Sequence, residues 1–199
     1  MHWKELAKRG VMIFAIIALA VSLTVPASAT TLKRMSLDEL VADNGTIVMG
    51  HVLDAVSRWN DDHTFMLTDV RVAIEETFKG RVKNDVITVT LMGGHIGDMT
   101  TLVIGSAELV PGNSYVLFLN REELPGTRAL TVRDHVQGAF DIVPGQTGPK
   151  AVSQASQHPL LPDFFGNAEP PGGKEGIYLE EMIESIRQIE KRLKTPEVK

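Results

Sequence analysis

Thr46-Ile47-Val48-Met49-Gly50-His51-Val52-Leu53 is the stretch on which the fold turns. It is β-branched and apolar at successive positions, so both faces of a strand would be buried, and no helical period runs through it. After a polar turn at Asn60-Asp61-Asp62-His63, a second strand is expected from Thr64 to about Phe78, with Val70, Val72, Ile74 and Phe78 on one side and Arg71, Ala73, Glu75 and Thr77 on the other. Lys79-Gly80 turns the chain into a third strand, Val86 to Leu91, in which Ile87, Val89 and Leu91 face in. Gly93-Gly94 stops it.

Beyond that point Leu102-Val103-Ile104 reads as a short strand, Tyr115 to Leu119 as a central one, and Arg128 to Val132 and Ala139 to Val143 as two more, with Phe140 and Ile142 inward. Ser36-Leu37-Asp38-Glu39 is a capping box that opens a short helix, and Asn44-Gly45, tolerant of left-handed backbone, is expected to close it. The fold expected is mainly β, a five- to six-stranded OB-like barrel with a short N-terminal helix and a C-terminal amphipathic helix. The last helix is marked by Leu179, Met182, Ile183, Ile186, Ile189 and Leu193 near one face, with Glu180, Glu181 and Glu184 early and Lys191, Arg192 and Lys194 late. Docking on its own barrel is the expected use of that stripe, and dimerisation the other.

The first residues carry an address. Lys4, Lys8 and Arg9 precede an apolar run from Val11 to Val25, and Ala27 and Ala29 stand where a signal peptidase reads small residues. Cleavage is expected at Ala29-Thr30, with export to the periplasm or beyond; a membrane would be met only through an uncleaved signal, whose apolar run falls short of the roughly twenty residues a span needs. Losing Lys4, Lys8, Arg9 and Glu5 takes the net charge from −5 to −7, a balance unsuited to nucleic acid. The chain contains no cysteine, which removes disulfides, thiolate catalysis and thiolate metal sites together. The expected organisation is a signal peptide over 1–29, a barrel over 30–143, a linker over 144–176 with six prolines and six glycines, and a helix and tail over 177–199.

Leu37-Asp38-Glu39-Leu40-Val41, Ile47 to Val52, Ser57-Arg58-Trp59, Thr68-Asp69-Val70, Glu75 to Gly80, Gly93-Gly94-His95-Ile96-Gly97, Tyr115 to Leu119 and Gln137 to Phe140 resemble an uncharacterised, widespread family of small exported bacterial proteins. The order of strands is also similar to netrin-type modules and the tissue inhibitors of metalloproteinases, which are OB-type barrels. Those inhibitors present an N-terminal cysteine to zinc, and the terminus expected here is Thr30-Thr31, so that device is excluded. The bacterial family has a proline and an aromatic residue where this chain has Ala107-Glu108-Leu109.

Chemistry-bearing motifs are sparse. His51, His63, His95, His135 and His158 are widely spaced with no paired metal motif, so no metal and no cofactor are expected. Asp61-Asp62-His63 lacks a coordinating loop pattern and reads as a solvated turn. The glycine-rich loop Leu91 to Asp98 has neither a following helix nor a lysine to make a phosphate cradle, and reads as a strand reversal. The candidate ligand-binding residues are Trp59, His63, Gly93, Gly94 and His95, with no catalytic residue assigned. Pro159 to Phe165 is an apolar island suited either to docking on the barrel or to a partner. Two functions follow as expectations. One is an exported, non-enzymatic binding module for a protein, peptide or glycan, with a co-exported protein as one partner; the other is a hydrolase with a dispersed site.

Overall fold

The computed structural model describes residues 34–133, 135–157 and 173–195. The expected signal segment, His158 and the Pro159 to Phe165 island lie outside them. Helix α1 (Leu37–Asp43) begins at the capping box: Glu39 N–H donates to Ser36 Oγ at 3.3 Å, and Ser36 N–H donates to the Glu39 carboxylate at 2.8 Å. It does not end in a left-handed residue. Asn44 is extended at φ −95°, and both its side-chain amide and its backbone N–H donate to Leu40 O, at 2.8 and 3.3 Å.

Ten strands follow among the described residues: β1 (Thr46–Trp59), β2 (Met66–Lys79), β3 (Val86–Met92), β4 (Gly94–Ile96), β5 (Met99–Thr101), β6 (Ser114–Leu124), β7 (Thr127–Val132), β8 (Ala139–Val143), β9 (Lys150–Ser153) and β10 (Ile177–Tyr178). Eight of them form one antiparallel sheet in the order β10-β9-β8-β6-β1-β2-β3, with β7 paired to β6 off that path; β4 and β5 are a separate hairpin. The fold is mainly β, as expected. The barrel is not closed.

The reason lies in β6. Tyr115 to Leu117 pairs with β8, while Leu119 to Leu124 pairs with β7, so the ladder forks. One branch, β7, comes alongside β3 without sharing a ladder, and the other carries β9 and β10 to the helix side. Leu102-Val103-Ile104 is not a strand; Leu102 and Ile104 are 83% and 66% exposed, and β5 lies just before them. The 144–176 stretch expected as linker contains β9, which extends the sheet.

Two apolar clusters result. Val48, Val52, Val70, Val72, Val89, Tyr115, Leu117 and Leu119 fill the concave interior. On the opposite face, Ile47, Val116, Phe118 and Phe140 meet Leu40 and Val41 of α1 and Met182, Ile186 and Ile189 of helix α2 (Leu179–Lys194). The first halves of β1 and β6 are therefore buried on both sides, as their unalternating sequences require. The terminal stripe docks on its own sheet. It begins at Leu179 rather than Ile177, because Ile177 and Tyr178 pair with Ala151 and Lys150.

Phe78 does not share a side with Ile74. Gly50 pairs with Ile74 but Met49 with Glu76, so Glu75 is an extra residue on β2, and a bulge of one residue reverses the alternation beyond it. Ile74 consequently packs in the interior and Phe78 against the helices.

Candidate functional site

The glycine loop closes onto the ends of β1 and β2. Gly93 and Gly94 take φ of +93° and +150°, and a Cβ at Gly94 would stand 2.5 Å from both Ser57 Oγ and Thr68 Oγ1. A side chain is excluded there by contact and by backbone alike. His95 N–H donates to Ser57 Oγ at 3.1 Å, Ser57 and Thr68 hydroxyls lie 3.0 Å apart, and Thr68 donates to Gly93 O at 2.8 Å. Since Thr68 gives its proton to Gly93, Ser57 must give its own to Thr68. That chain of donors holds a strand reversal. A strand, β4, follows the glycines, as a phosphate cradle would not have it.

His95 is exposed, with Nδ1 2.9 Å from Thr100 Oγ1. Trp59 is half-buried at the end of β1 opposite Met66, two residues beyond Ser57. His63 sits in the next turn, exposed at φ +54°, its N–H donating to Asn60 O. The structure thus joins Gly93, Gly94 and His95 to Ser57 and Thr68, sets Trp59 on the same strand, and places His63 in a different loop. Asn60, absent from the sequence-based candidates, organises that loop. It is 2% exposed, its Oδ1 accepts from Thr64 and Phe65 N–H, and its Nδ2 donates to Thr64 Oγ1 and, across to the β6–β7 turn, to Pro125 O.

Beside Trp59, Arg58 donates to Asp69 at 2.6 Å, and Asp69 also accepts from Thr90 at 2.8 Å. The Asp69 hydrogen bond raises the Arg58 pKa despite the opposing effect of burial. This row braces β1, β2 and β3 near the loop.

A cavity of about 360 Å³ lies elsewhere, between the 106–113 segment and β8, lined by Ser106, Glu108, Val110, Asn113, Tyr115, Val136, Asp141 and Gln154. Tyr115 and Asp141 are direct cross-strand partners on β6 and β8, so their side chains share a face. The Gln154 amide pairs with the Glu108 backbone, accepting from its N–H at 2.9 Å and donating to its carbonyl at 2.7 Å, and lies 3.2 Å from Asp141 Oδ1. Burial raises the Asp141 pKa, the Gln154 hydrogen bond opposes the rise, and the Glu108 charge adds to it. Period-two reading could not have found this site, because Asp141 was only the outward residue between Phe140 and Ile142.

Exposed apolar side chains gather near the hairpin. Met99, Leu102 and Ile104 are 54%, 83% and 66% exposed, and Leu53, Val56 and Val110 are also open. His95 is bonded to Ser57, and Gly112 and Asn113 to Val52, so the hairpin and the 110–113 turn meet β1 at different points, and Val56 lies on the face of β1 opposite Ser57.

Among the described residues, no three His, Asp or Glu side chains come together as a metal set, and no helix is long and apolar enough to cross a membrane. His51 Nδ1 lies 3.4 Å from Ser114 Oγ on the neighbouring strand. No protein-family model matches this chain, and no curated protein matches it.

Proposed function

We propose that this chain is an exported, non-enzymatic binding module, related to the small exported bacterial family it resembles, with an open OB-like arrangement of β1, β2, β3, β6 and β7. Its partner is a polypeptide, for which a co-exported protein is the natural source. The observation that carries this reading is the exposed apolar trio Met99, Leu102 and Ile104, which follows the Gly93-Gly94-His95 reversal along the chain. Scattered apolar side chains on a surface need no explanation, but three in one short segment beside a fixed loop favour an interface. Trp59, two residues beyond Ser57 and on the same face of β1, belongs to its rim.

The test is the paired substitution Leu102→Asp and Ile104→Asp in protein recovered from the exported fraction. Both side chains are exposed, so the unfolding midpoint should stay within the ±0.5 kcal/mol usual for surface changes, about 1–2 °C here. A partner retained in stoichiometric amount by the wild type should be lost. Equal retention by the variant would overturn the reading.

A further inference from the structure

The cavity beside β8 goes beyond the docking surface and stands whether or not that surface binds. Its polar groups are unequal in sign. Among the described residues, Glu108 and Asp141 bring two carboxylates, and no lysine, arginine or histidine lines the space. Asp141 uses Oδ1 toward Gln154, and Gln154 spends the rest of its amide on the Glu108 backbone, so the amide has no further donor for the carboxylates. The floor is Tyr115, 1% exposed, whose hydroxyl accepts from Val110 N–H at 2.9 Å, and the sides include Val110 and the buried Val136. A volume of about 360 Å³ falls at the lower end of the range for small-ligand pockets, roughly 300–1,000 Å³.

We propose that this cavity is a binding site for an alkylammonium group, with Asp141 and Glu108 receiving the charged head and Val110, Val136 and the Tyr115 ring receiving the alkyl stem. The chemistry selects this class in two ways. Two carboxylates sharing one partly desolvated space repel each other, and a cation between them removes that repulsion while gaining charge-assisted hydrogen bonds. A bare metal ion would find only two carboxylates here, short of the six or more oxygen ligands calcium takes. The apolar walls suit a carbon stem rather than a fully hydrated ion.

The experiment is an NMR titration of the full exported chain with n-butylammonium, with n-butanol as the neutral counterpart. A lysine side chain and a free diamine both offer this chemistry, so acetyl-lysine N-methylamide and putrescine form the two arms that separate the sources. Saturable shifts centred on Glu108, Tyr115, Asp141 and Gln154 are expected with butylammonium and not with butanol. Asp141→Asn should weaken binding by about tenfold, and Glu108→Gln, at an exposed position where folding is not in question, by a smaller factor of about threefold. Absence of saturable shifts, equal binding of butanol, or wild-type affinity in both variants would each overturn the proposal. So would binding of methyl glucoside in preference to butylammonium, which would make the cavity a glycan subsite.

Discussion

Replacing Lys79 by Met should cost more than any surface charge of this protein. Its ammonium donates to Val41 O at 2.6 Å and Ala42 O at 3.2 Å, in the last turn of α1, and stands 3.4 Å from Glu190 Oε1 on α2. One charge thus joins three elements. The Glu190 side chain is only 7% exposed; Lys194 lies 2.5 Å from its Oε2 but gives that oxygen no properly directed hydrogen bond, and is itself 73% exposed. Removing one partner of a buried pair costs about 3–5 kcal/mol; with Lys194 still present and Lys79 partly open, about 2–3 kcal/mol is expected. For a domain of this size that lowers the unfolding midpoint by roughly 5–10 °C. Lys79→Met with Glu190→Met should cost less than the two singles together, by about 1–2 kcal/mol, because the double variant buries no unpaired charge. Thermal and urea unfolding of all four proteins, followed by circular dichroism, measures the cycle. A single-variant loss under about 0.5 kcal/mol, or strict additivity, would refute the reasoning.

The same pair has a pH signature: burial pushes the Glu190 carboxyl up, but Lys194 and Lys79 outweigh it and hold its pKa below the usual range. Its contribution is therefore present above the unfolded-state carboxyl value and lost as pH falls through the lowered one, and Glu190→Gln should flatten the acid limb of the stability curve. Asp141 has the opposite sign. Its pKa is raised, so its charge weakens the fold at neutral pH, and Asp141→Asn should raise the midpoint at pH 7 with the gain vanishing below the unfolded carboxyl range. Ile186→Asp puts a charge at a fully buried position among Phe118, Phe140 and Met182, and a loss of several kcal/mol should appear in the unfolding of a monomer. Unchanged stability with loss of a dimer in sedimentation would count against the docked helix. Gly94→Ala should cost about 1–3 kcal/mol and displace the His95 amide resonance, since its Cβ has no room beside Ser57 and Thr68.

Much of the fold was legible because local pattern and tertiary use agreed. Ile87, Val89 and Leu91 alternate in sequence and all reach the interior; the first halves of β1 and β6, apolar without alternation, are covered on both sides; Ser36 and Glu39 cap α1 as a pair. Where reading stopped, the cause was long-range. The bulge at Glu75 sends Phe78 across the sheet, and such an insertion is visible only against the partner strand. The fork in β6 depends on which strand claims which half of it, and β9 was hidden in a stretch whose proline and glycine content read as linker. Of the site, the glycine reversal was legible from Gly93-Gly94. Asn60 and the Glu108, Asp141 and Gln154 group were not, because their roles depend on residues many positions away.

The docking of α2 also fixes an order of events. Asp38 of α1 is bonded to Arg192, and Glu76 of β2 to Arg187, so the earliest and latest described elements complete one another. A chain emerging from its N-terminus can assemble β1, β2 and β3 early, yet until the final helix arrives Ile47, Val116, Phe118 and Phe140 have only Leu40 and Val41 of α1 as helical cover. For as long as residues beyond about 180 are withheld, half of the sheet is an adhesive surface, and nascent or proteolytically shortened forms are the ones a chaperone or a quality-control protease would meet.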